Sequence, residues 1–550
     1  MAAVPQDMVV FESGQTSTQP EAAMAGPSHV GTDQRQHRCL LSLDGGGVRG
    51  LSALIILNNI MLQVNIERKK KRRELELKPC DVFDLIGGTS TGGLIAIMLG
   101  RLRMDVESCL KRYYQFIPDV FQVRASNPLR APITLLGIIR PLYDSKRLEK
   151  FILDTVAARE GKVDGEGKPD RKLAAKVFLQ EARPDCRVFV CATAGEDSST
   201  SLLRNYLNTS HTEAVHPTIA QAALATTAAP TFFYEAKIPI VGTEGKNLKF
   251  LRFVDGALKA NNPVEQVKKE ADVLWPKPEQ PEGSGPTQYF VDCLVSIGTG
   301  VGQPQETSSG VSQFLKALVK IATETEDTAT DFRDRWDLNL EERPDSKSKY
   351  FRFSVVRGLN TMAIDAQNPE AKVNTLTLSY VKDKKVKKSI DECAAMLTNK
   401  PLNPDGVVSL IETGQSALKK EQFTIAFKKF FQADELVHRH NPDKLDKARY
   451  VAVNLGMAES WIGMAEAELG QEDADIEAIR SIGKLLEGAC NRIEYAKKPE
   501  KPSMTEQDPN MNAQRDVISR LGGTIEGARR ELEQVVRDLR TEIKLIRRID

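Results

Sequence analysis

Short apolar runs alternate with stretches of helical periodicity through the first two thirds of the chain. Continuous apolar runs are typical of strands buried on both faces, and helices between such strands indicate a mostly parallel sheet with helices on both sides. The pattern therefore predicts an α/β fold. Each run is followed within a few residues by glycine, and the five runs are Cys39–Leu43, Val82–Ile86, Val188–Ala192, Phe250–Val254 and Cys293–Ile297.

Changes in composition divide the chain into five stretches. Residues 1–36 are rich in Gly, Pro, Ser, Thr and Gln and are expected to form a disordered leader. Residues 37–400 carry the strand and helix signals of an α/β catalytic domain. Strand signals then stop, and residues 401–496 are helical in periodicity. A polar, proline-containing linker at 497–512 precedes an amphipathic helix at 513–550.

The helical C-terminal region has two patterns of its own. Small and large residues at Gly414, Ala426, Phe430 and Ala433 are spaced as in a tetratricopeptide-like hairpin, although a plain helical bundle is the favoured interpretation because such repeats need about three copies to stack. An apolar stripe from Ile518 to Leu539 has the alternating spacing of a coiled-coil seam. It predicts either pairing with a second copy or folding back on the bundle, so a protein partner or self-association through these helices stays open.

Composition excludes several classes of protein. The 76 Lys and Arg balance 75 Asp and Glu, which removes the electrostatic argument for a nucleic-acid binder. Eight scattered Cys form no CxxC pair and no Cys–His cluster with metal-ligand spacing, and free thiols suit a reducing compartment. No stretch reaches the roughly 18 apolar residues of a membrane span, and the N-terminus does not resemble a secretory signal. We therefore expect a cytoplasmic protein, with peripheral contact at most with intracellular membranes.

The first motif with chemical potential is Asp44–Gly50, between a predicted strand and a predicted helix. Glycine exposes backbone N–H groups, and a helix N-terminus favours an anion. The same string matches GxGxxG through Gly45, Gly47 and Gly50. A dinucleotide site also needs an acidic residue about twenty positions on, where this chain has the basic run Arg68–Arg73. The dinucleotide interpretation is therefore weak.

The second motif is Gly88–Gly92, which reads GxSxG. It lies between the predicted strand Val82–Ile86 and a predicted helix at Leu94–Leu99, which is the context of a nucleophile elbow. A sharp turn of this kind strains the backbone at Ser90, and glycines flank it because a Cβ there would clash with the neighbouring strand and helix. The motif predicts that Ser90 presents its hydroxyl at the edge of the sheet.

A histidine base for Ser90 is not well supported by the positions of the six histidines, which are His29, His37, His211, His216, His438 and His440. Asp255 offers an alternative because it ends the apolar run before Gly256 and Ala257. A carboxylate there is expected at the edge of the sheet where α/β proteins place their sites. If the strands of Ser90 and Asp255 are neighbours, Asp255 can accept the serine proton directly.

Taken together and in this order, the three motifs resemble the patatin-like phospholipase family, and the resemblance runs from about His37 to about Arg357. Ala222–Phe233 and Val295–Gly300 resemble it as well. The resemblance implies a three-layer α/β/α fold and a Ser-Asp dyad that hydrolyses fatty-acyl esters of phospholipids or lysophospholipids, with no metal and no cofactor. It implies these roles: Ser90 as nucleophile, Asp255 as general base, the N–H groups of Gly45, Gly46 and Gly47 as oxyanion hole, and Arg49, Gly50, Gly88, Gly92 and Gly256 as motif support.

Two other functions use the same sequence features. A lipid acyltransferase would employ the same residues with an alcohol in place of water. A regulated signalling or scaffold protein would bind a partner through its helical region and use the patatin-like domain as an effector. The basic run Arg68–Arg73 has three interpretations, namely contact with anionic lipid, a nuclear-localisation patch and a solvated helix end, of which the last is favoured.

Overall fold

The computed structural model describes residues 38–549 apart from a set of gaps. The expected leader at 1–36 lies outside the described residues, as does all of the expected linker beyond Lys497. The gaps are 74, 123–132, 136–137, 165–167, 183, 208–214, 241–248, 276–290, 301–324, 339–347, 356–357, 360–361, 363–364, 367, 401, 403–405, 441–446, 470–475 and 498–524.

Eight of the ten strands found in the described residues form one sheet. In chain order the strands are β1 Arg38–Leu43, β2 Leu85–Thr89, β3 Ile133–Leu135, β4 Ile138–Arg140, β5 Arg187–Ala194, β6 Thr200–Arg204, β7 Ala236–Ile240, β8 Lys249–Asp255, β9 Val291–Ile297 and β10 Lys349–Phe353. The order across the sheet is β10-β9-β1-β2-β5-β8-β7, with β6 also paired to β5. The first five strands of this order run parallel, whereas β6, β7 and β8 are antiparallel additions at one side.

Helices cover the sheet and make up the C-terminal region. They are α1 Gly50–Lys70, α2 Pro79–Val82, α3 Thr91–Ala96, α4 Val106–Val120, α5 Ser145–Arg159, α6 Arg171–Ala174, α7 Ile219–Thr227, α8 Ala257–Ala260, α9 Val264–Leu274, α10 at 325–338, α11 Glu370–Lys382, α12 Lys384–Asn399, α13 Val407–Lys419, α14 Phe423–His440, α15 Lys447–Leu469, α16 Ile476–Lys497 and α17 Ile525–Ile549. A 3-10 turn at Gly47–Arg49 leads into α1, and a π-helical turn at Ile97–Arg101 follows α3.

Successive residues of the central strands face opposite helical layers. Leu41 and Leu43 of β1 belong to the larger core, which also contains side chains of α1, α4 and α12. Leu40 belongs to a second core with Val267 of α9 and Phe332 of α10. Both faces of the sheet are therefore buried, which explains why its parallel strands are apolar without alternation. The architecture confirms the predicted three-layer α/β/α fold.

All five predicted strands occur, but one boundary was wrong. The second strand begins at Leu85 because Val82 ends the short helix α2, in which Asp81 accepts the N–H of Lys78 at 2.7 Å. Strand β10 was not predicted, since its sequence KYFRF mixes charged and aromatic residues instead of forming an apolar run. It lies at the edge of the sheet, beside β9.

Helix α1 also corrects an expectation about membrane spans. The stretch Gly47–Lys70 is long and apolar enough to cross a membrane by length and composition. However, 78% of its most apolar window is buried inside the protein, where Leu51, Leu54 and Ile60 are fully buried. An apolar helix in this position is a core helix packed on the sheet.

The C-terminal helices pack as consecutive neighbours. The ring of Phe430 on α14 lies against Gly414 of α13 and Gly456 of α15, at positions where a Cβ would approach the ring to 2.8 and 2.3 Å. The apolar stripe of α17 is buried against α15 and α16, with Leu532 and Leu539 fully buried. In the described part of the stripe, the chain's own helices cover the apolar residues. This arrangement corresponds to the second alternative, in which the stripe folds back on the bundle.

Buried charges join the helical region to the sheet region, and His37–Asp550 forms one compact unit. The side chain of Arg68, the first residue of the basic run, is 1% exposed and pairs with Glu412 of α13. Arg449 of α15 likewise pairs with Asp81. The solvated interpretation of the basic run is therefore wrong for Arg68, because the helical region covers it. Lys69 and Lys70 are exposed and pair with Glu76 and Glu67.

We expect Arg68→Gln to lower the free energy of unfolding by about 1–3 kcal/mol, because it leaves Glu412 and the Leu75 carbonyl without their donor. Lys69→Gln is the matched control, since an ion pair at an exposed lysine contributes about 0–1 kcal/mol. Urea unfolding of both variants measures the difference. Equal effects of the two substitutions would contradict the structural role of Arg68.

Candidate active site

The serine of the GxSxG motif lies on a sharp turn between β2 and α3. Ser90 has φ +55° and ψ −128°, a conformation that residues other than glycine rarely adopt. A Cβ at Gly88 would lie 2.3 Å from the carbonyl oxygen of Gly92, and one at Gly92 would lie 2.5 Å from that of Leu43. Only glycine fits at either position, and the backbone of the predicted elbow is present.

A threonine that sequence reasoning did not single out holds this turn. The Ser90 N–H donates to Thr226 Oγ1 at 2.9 Å, and that hydroxyl donates in turn to the Cys191 carbonyl at 2.6 Å. Thr226 is fully buried on α7, while Cys191 belongs to β5. One side chain therefore links the elbow, a helix and the neighbouring strand. The nearest signal in the sequence was the resemblance of Ala222–Phe233 to the family.

The hydroxyl of Ser90 meets the predicted carboxylate. Ser90 Oγ donates to Asp255 Oδ2 at 2.5 Å, and Asp255 Oδ1 accepts the N–H of Ala257 at 2.8 Å. The two strands that carry them are not neighbours, because β5 lies between β2 and β8. The side chains meet across β5 because Thr89 is level with Cys191 and Asp255 with Ala192. The two side chains therefore lie within hydrogen-bond distance although their strands are not neighbours.

Burial changes the acidity of this carboxyl. Asp255 is 2% exposed, and burial raises its pKa to about 7, although the hydrogen bonds from Ser90 and the Ala257 N–H act in the opposite direction. A carboxyl with a pKa near neutrality can exchange a proton with a neighbouring hydroxyl during a reaction.

The glycine turn lies beside the elbow, but one of its three amides is already paired. The Gly45 N–H donates to the Asn261 carbonyl at 3.1 Å, so the predicted set of three oxyanion donors narrows to Gly46 and Gly47. These two residues stand at the start of the helix, where the first N–H groups have no partner within the helix. Gly47 has φ +57°, and its carbonyl accepts the hydroxyl of Tyr113 at 2.6 Å.

The remaining motif residues support the two turns. Arg49 is 3% exposed, and its Nε donates to the Gly46 carbonyl at 3.5 Å, while burial lowers its pKa to about 10. A Cβ on Gly50 would lie 2.2 Å from the Tyr113 hydroxyl oxygen. One on Gly256 would lie 2.4 Å from the Cys191 carbonyl oxygen.

A cleft opens next to these groups. Gly45, Gly46, Gly47, Ser90 and Asp255 line it. Its apolar lining includes Phe116, Phe121, Leu148, Phe232 and Phe233.

Among the histidines, His216 is exposed, binds Gln180 at 3.0 Å and does not line the cleft. His29, His37 and His211 lie outside the described residues.

Residues 41–268 match the patatin-like phospholipase family. Similar proteins include patatin-like phospholipase 1 of Plasmodium falciparum, 27% identical over 60% of this chain and 45% of that protein. Human calcium-independent phospholipase A2-gamma is 27% identical over 52% of this chain and 32% of that protein. Patatin-like protein 4 of Arabidopsis thaliana is 27% identical over 50% of this chain and 62% of that protein.

The chain thus spans between about one third and two thirds of the length of these relatives. A sheet between two helical layers, with a serine elbow and a glycine turn at one edge of the sheet, places the chain in the class of three-layer α/β/α folds. Within that class, the chain carries a patatin-like phospholipase domain.

We expect the free energy of unfolding of Asp255→Asn to increase relative to that of wild type as the pH rises. Between about pH 4 and pH 7 the folded wild type keeps a proton on Asp255 that the unfolded chain has released, so its stability falls by about 1.4 kcal/mol per pH unit from this group. The amide does not titrate. The difference in unfolding free energy between variant and wild type should therefore increase by about 3 kcal/mol from pH 5 to pH 8.

Urea unfolding at the two pH values measures this change. Asp105→Asn is the control, because the pKa of this helix-capping carboxyl is lowered and the group stays ionised from pH 5 to pH 8. Its effect should be the same at both pH values. A pH-independent difference for Asp255→Asn would show that the carboxyl has an ordinary pKa.

Proposed function

We propose that this protein is a serine lipid acyl hydrolase that cleaves fatty-acyl esters of phospholipids or lysophospholipids. The observation that carries the proposal is the 2.5 Å hydrogen bond from Ser90 Oγ to the buried Asp255 carboxylate, in a cleft that apolar aromatic side chains also line. The names of the Plasmodium falciparum and human relatives, both called phospholipases, support the lipid substrate.

The reaction proceeds through an acyl-enzyme. Asp255 takes the proton of Ser90 as the serine oxygen attacks the ester carbonyl, and the proton is then given to the departing alcohol or lysolipid. Water enters, loses a proton to Asp255 and attacks the acyl-serine, which releases the fatty acid and restores the hydroxyl. The same carboxyl acts as base and acid in turn, so its pKa near 7 suits both steps.

The amides of Gly46 and Gly47 are the proposed oxyanion donors. They stand beside Ser90 in the cleft lining, at a helix N-terminus whose dipole favours negative charge. A donor of this kind typically lowers the barrier by about 3 kcal/mol. Arg49 donates to the Gly46 carbonyl, which belongs to the same peptide group as the Gly47 N–H, and Tyr113 donates to the carbonyl of Gly47. Both hydrogen bonds limit rotation of the turn.

The apolar wall of the cleft supports a fatty-acyl substrate. Each methylene that moves from water into such a surface contributes about 0.8 kcal/mol, so binding favours long chains over short ones. The aromatic side chains stand in contact with one another, Phe116 with Phe121 at 5.4 Å between ring centroids and Phe121 with Phe233 at 6.4 Å. They form a continuous wall along which an acyl chain lies.

We place the protein in a reducing compartment, at the surface of a membrane or micelle from which it takes its substrate. All eight cysteines are buried free thiols, which supports a reducing environment. Partner binding through the C-terminal helices is a further part of this proposal, with the exposed faces of those helices as the available surface.

Fatty-acid release from a panel of phospholipids, lysophospholipids and neutral lipids tests the reaction. Wild type is expected to release fatty acid, and Ser90→Ala and Asp255→Asn should each lose roughly a thousandfold or more in kcat/KM. His216→Ala is the matched control and should retain full activity. Hydrolysis that persists in Ser90→Ala, or that is lost in His216→Ala, contradicts the dyad. Acyl transfer to an added alcohol without fatty-acid release would instead identify an acyltransferase.

The pH profile tests the role of the carboxyl separately. Asp255 acts as a base, so it must be ionised, and protonation below its pKa of about 7 removes activity. We expect kcat/KM to rise tenfold per pH unit below about pH 7 and to level off above it. A profile that is already flat from pH 5 upward would mean that no group with this pKa controls the reaction.

A further inference from the structure

Three charged side chains form a cluster beside the glycine turn, and none of them lines the cleft. Arg352 Nη2 lies 2.7 Å from Asp44 Oδ2 and 2.5 Å from Glu326 Oε1. Its Nη1 donates to Ser296 Oγ at 2.8 Å. The side chains of Arg352 and Asp44 are 4% and 0% exposed, whereas that of Glu326 is 27% exposed. One arginine therefore binds two carboxylates, and little water can replace it at the buried one, Asp44.

Asp44 is the residue that leads directly into the glycines. Burial raises its pKa to about 6 although Arg352 favours the ionised form, so the arginine is the group that keeps this carboxylate charged and in place. The planar guanidinium donates to fixed directions, which orients Asp44 as well as neutralising it. Movement of Asp44 would carry Gly45, Gly46 and Gly47 with it, because they follow it in the chain.

The end of β9 is shaped around this arginine. A Cβ at Gly298 would lie 2.6 Å from Arg352 Nη2, so the close approach requires glycine. The next residue, Thr299, donates its hydroxyl to the Gly45 carbonyl at 2.8 Å, and the Asp44 N–H donates to the Ile297 carbonyl at 3.1 Å. The same turn thus holds the two peptide groups on either side of the Asp44–Gly45 peptide, namely Leu43–Asp44 and Gly45–Gly46.

Helix α10 reaches the glycine turn by a second route. Thr325 precedes Glu326 and accepts a hydrogen bond from Asn261 Nδ2 at 2.7 Å. The carbonyl of Asn261 accepts the N–H of Gly45. The first two residues of α10 therefore both act on the start of the glycine turn. Glu326 acts on Asp44 through Arg352, and Thr325 acts on Gly45 through Asn261.

Of these supporting residues, Thr299, Thr325, Glu326 and Arg352 lie outside the matched stretch, which ends at 268. We propose that Arg352 is a positioning residue, which fixes the backbone of Gly46 and Gly47 through Asp44 so that their amides face the developing oxyanion. The inference rests on the proposed function. A side chain that only stabilises the fold would affect the amount of folded enzyme, whereas a positioning residue affects the transition state more than the bound substrate.

The test compares Arg352→Lys and Arg352→Gln with wild type, using the purified full chain and a lipid ester that wild type hydrolyses. Arg352→Gln should lower kcat by 10- to 100-fold with KM changed less than threefold, and Arg352→Lys should recover part of the loss. Affinity for an alkyl trifluoromethyl ketone, which forms a tetrahedral adduct with the serine, should fall in parallel with kcat. Inhibition by a long-chain alkanol, which binds through its alkyl chain and carries no negative charge, should be unchanged.

Arg101→Gln is the matched control, because Arg101 is 7% exposed and pairs with Glu160 at 2.7 Å, and neither residue lines the cleft. This substitution should destabilise the protein, but it should not lower kcat selectively while KM stays nearly unchanged. If Arg352→Gln does not fold, Arg352→Lys decides the test, since it keeps the charge and loses the second donor. Equal kcat in wild type and the Arg352 variants, or parallel losses of ketone and alkanol binding, would overturn the inference. A wild type without activity, or full activity in Ser90→Ala, would instead overturn the proposed function.

Discussion

The hydrogen bond between Ser90 and Asp255 requires a buried carboxylate and a strained serine backbone, and the surrounding structure stabilises both. A carboxylate that is 2% exposed is unfavourable unless it is hydrogen-bonded, and Asp255 accepts from Ser90 and from the Ala257 N–H. To donate to it, Ser90 adopts a positive φ, which its neighbours must hold against strain. The glycines at 88 and 92 admit the turn, and Thr226 secures its N–H. The site is therefore a strained and partly desolvated arrangement that the packed sheet maintains.

Local features of this arrangement could be predicted from the sequence, whereas tertiary ones could not. The elbow and the glycine turn each need glycine at fixed offsets within a strand-turn-helix context, so a few residues specify them. The contact of Ser90 with Asp255 joins positions 165 apart across an intervening strand. Resemblance to a family led to that pair, whereas the sequence did not indicate that β5 lies between the two strands.

Other parts of the site leave no pattern in the sequence. Thr226 is one hydroxyl in an alanine-rich helix, and nothing local indicates that it bonds the elbow. The pairing of the Gly45 amide depends on where Asn261 falls in space, so the number of oxyanion donors could not be read from three consecutive glycines. Arg352 lies in the edge strand β10, whose mixture of charged and aromatic residues did not predict a strand. Each of these residues acts through long-range packing, which periodicity does not encode.

The central claim is that the carboxyl of Asp255 activates the hydroxyl of Ser90. Its most direct test is the rate at which a fluorophosphonate modifies the protein as a function of pH, with the site located by peptide mass spectrometry. The account predicts a single adduct on Ser90, formed at a rate that follows an ionisation near pH 7 in wild type and loses that dependence in Asp255→Asn. An adduct on another residue, or the same pH dependence in both proteins, would contradict it.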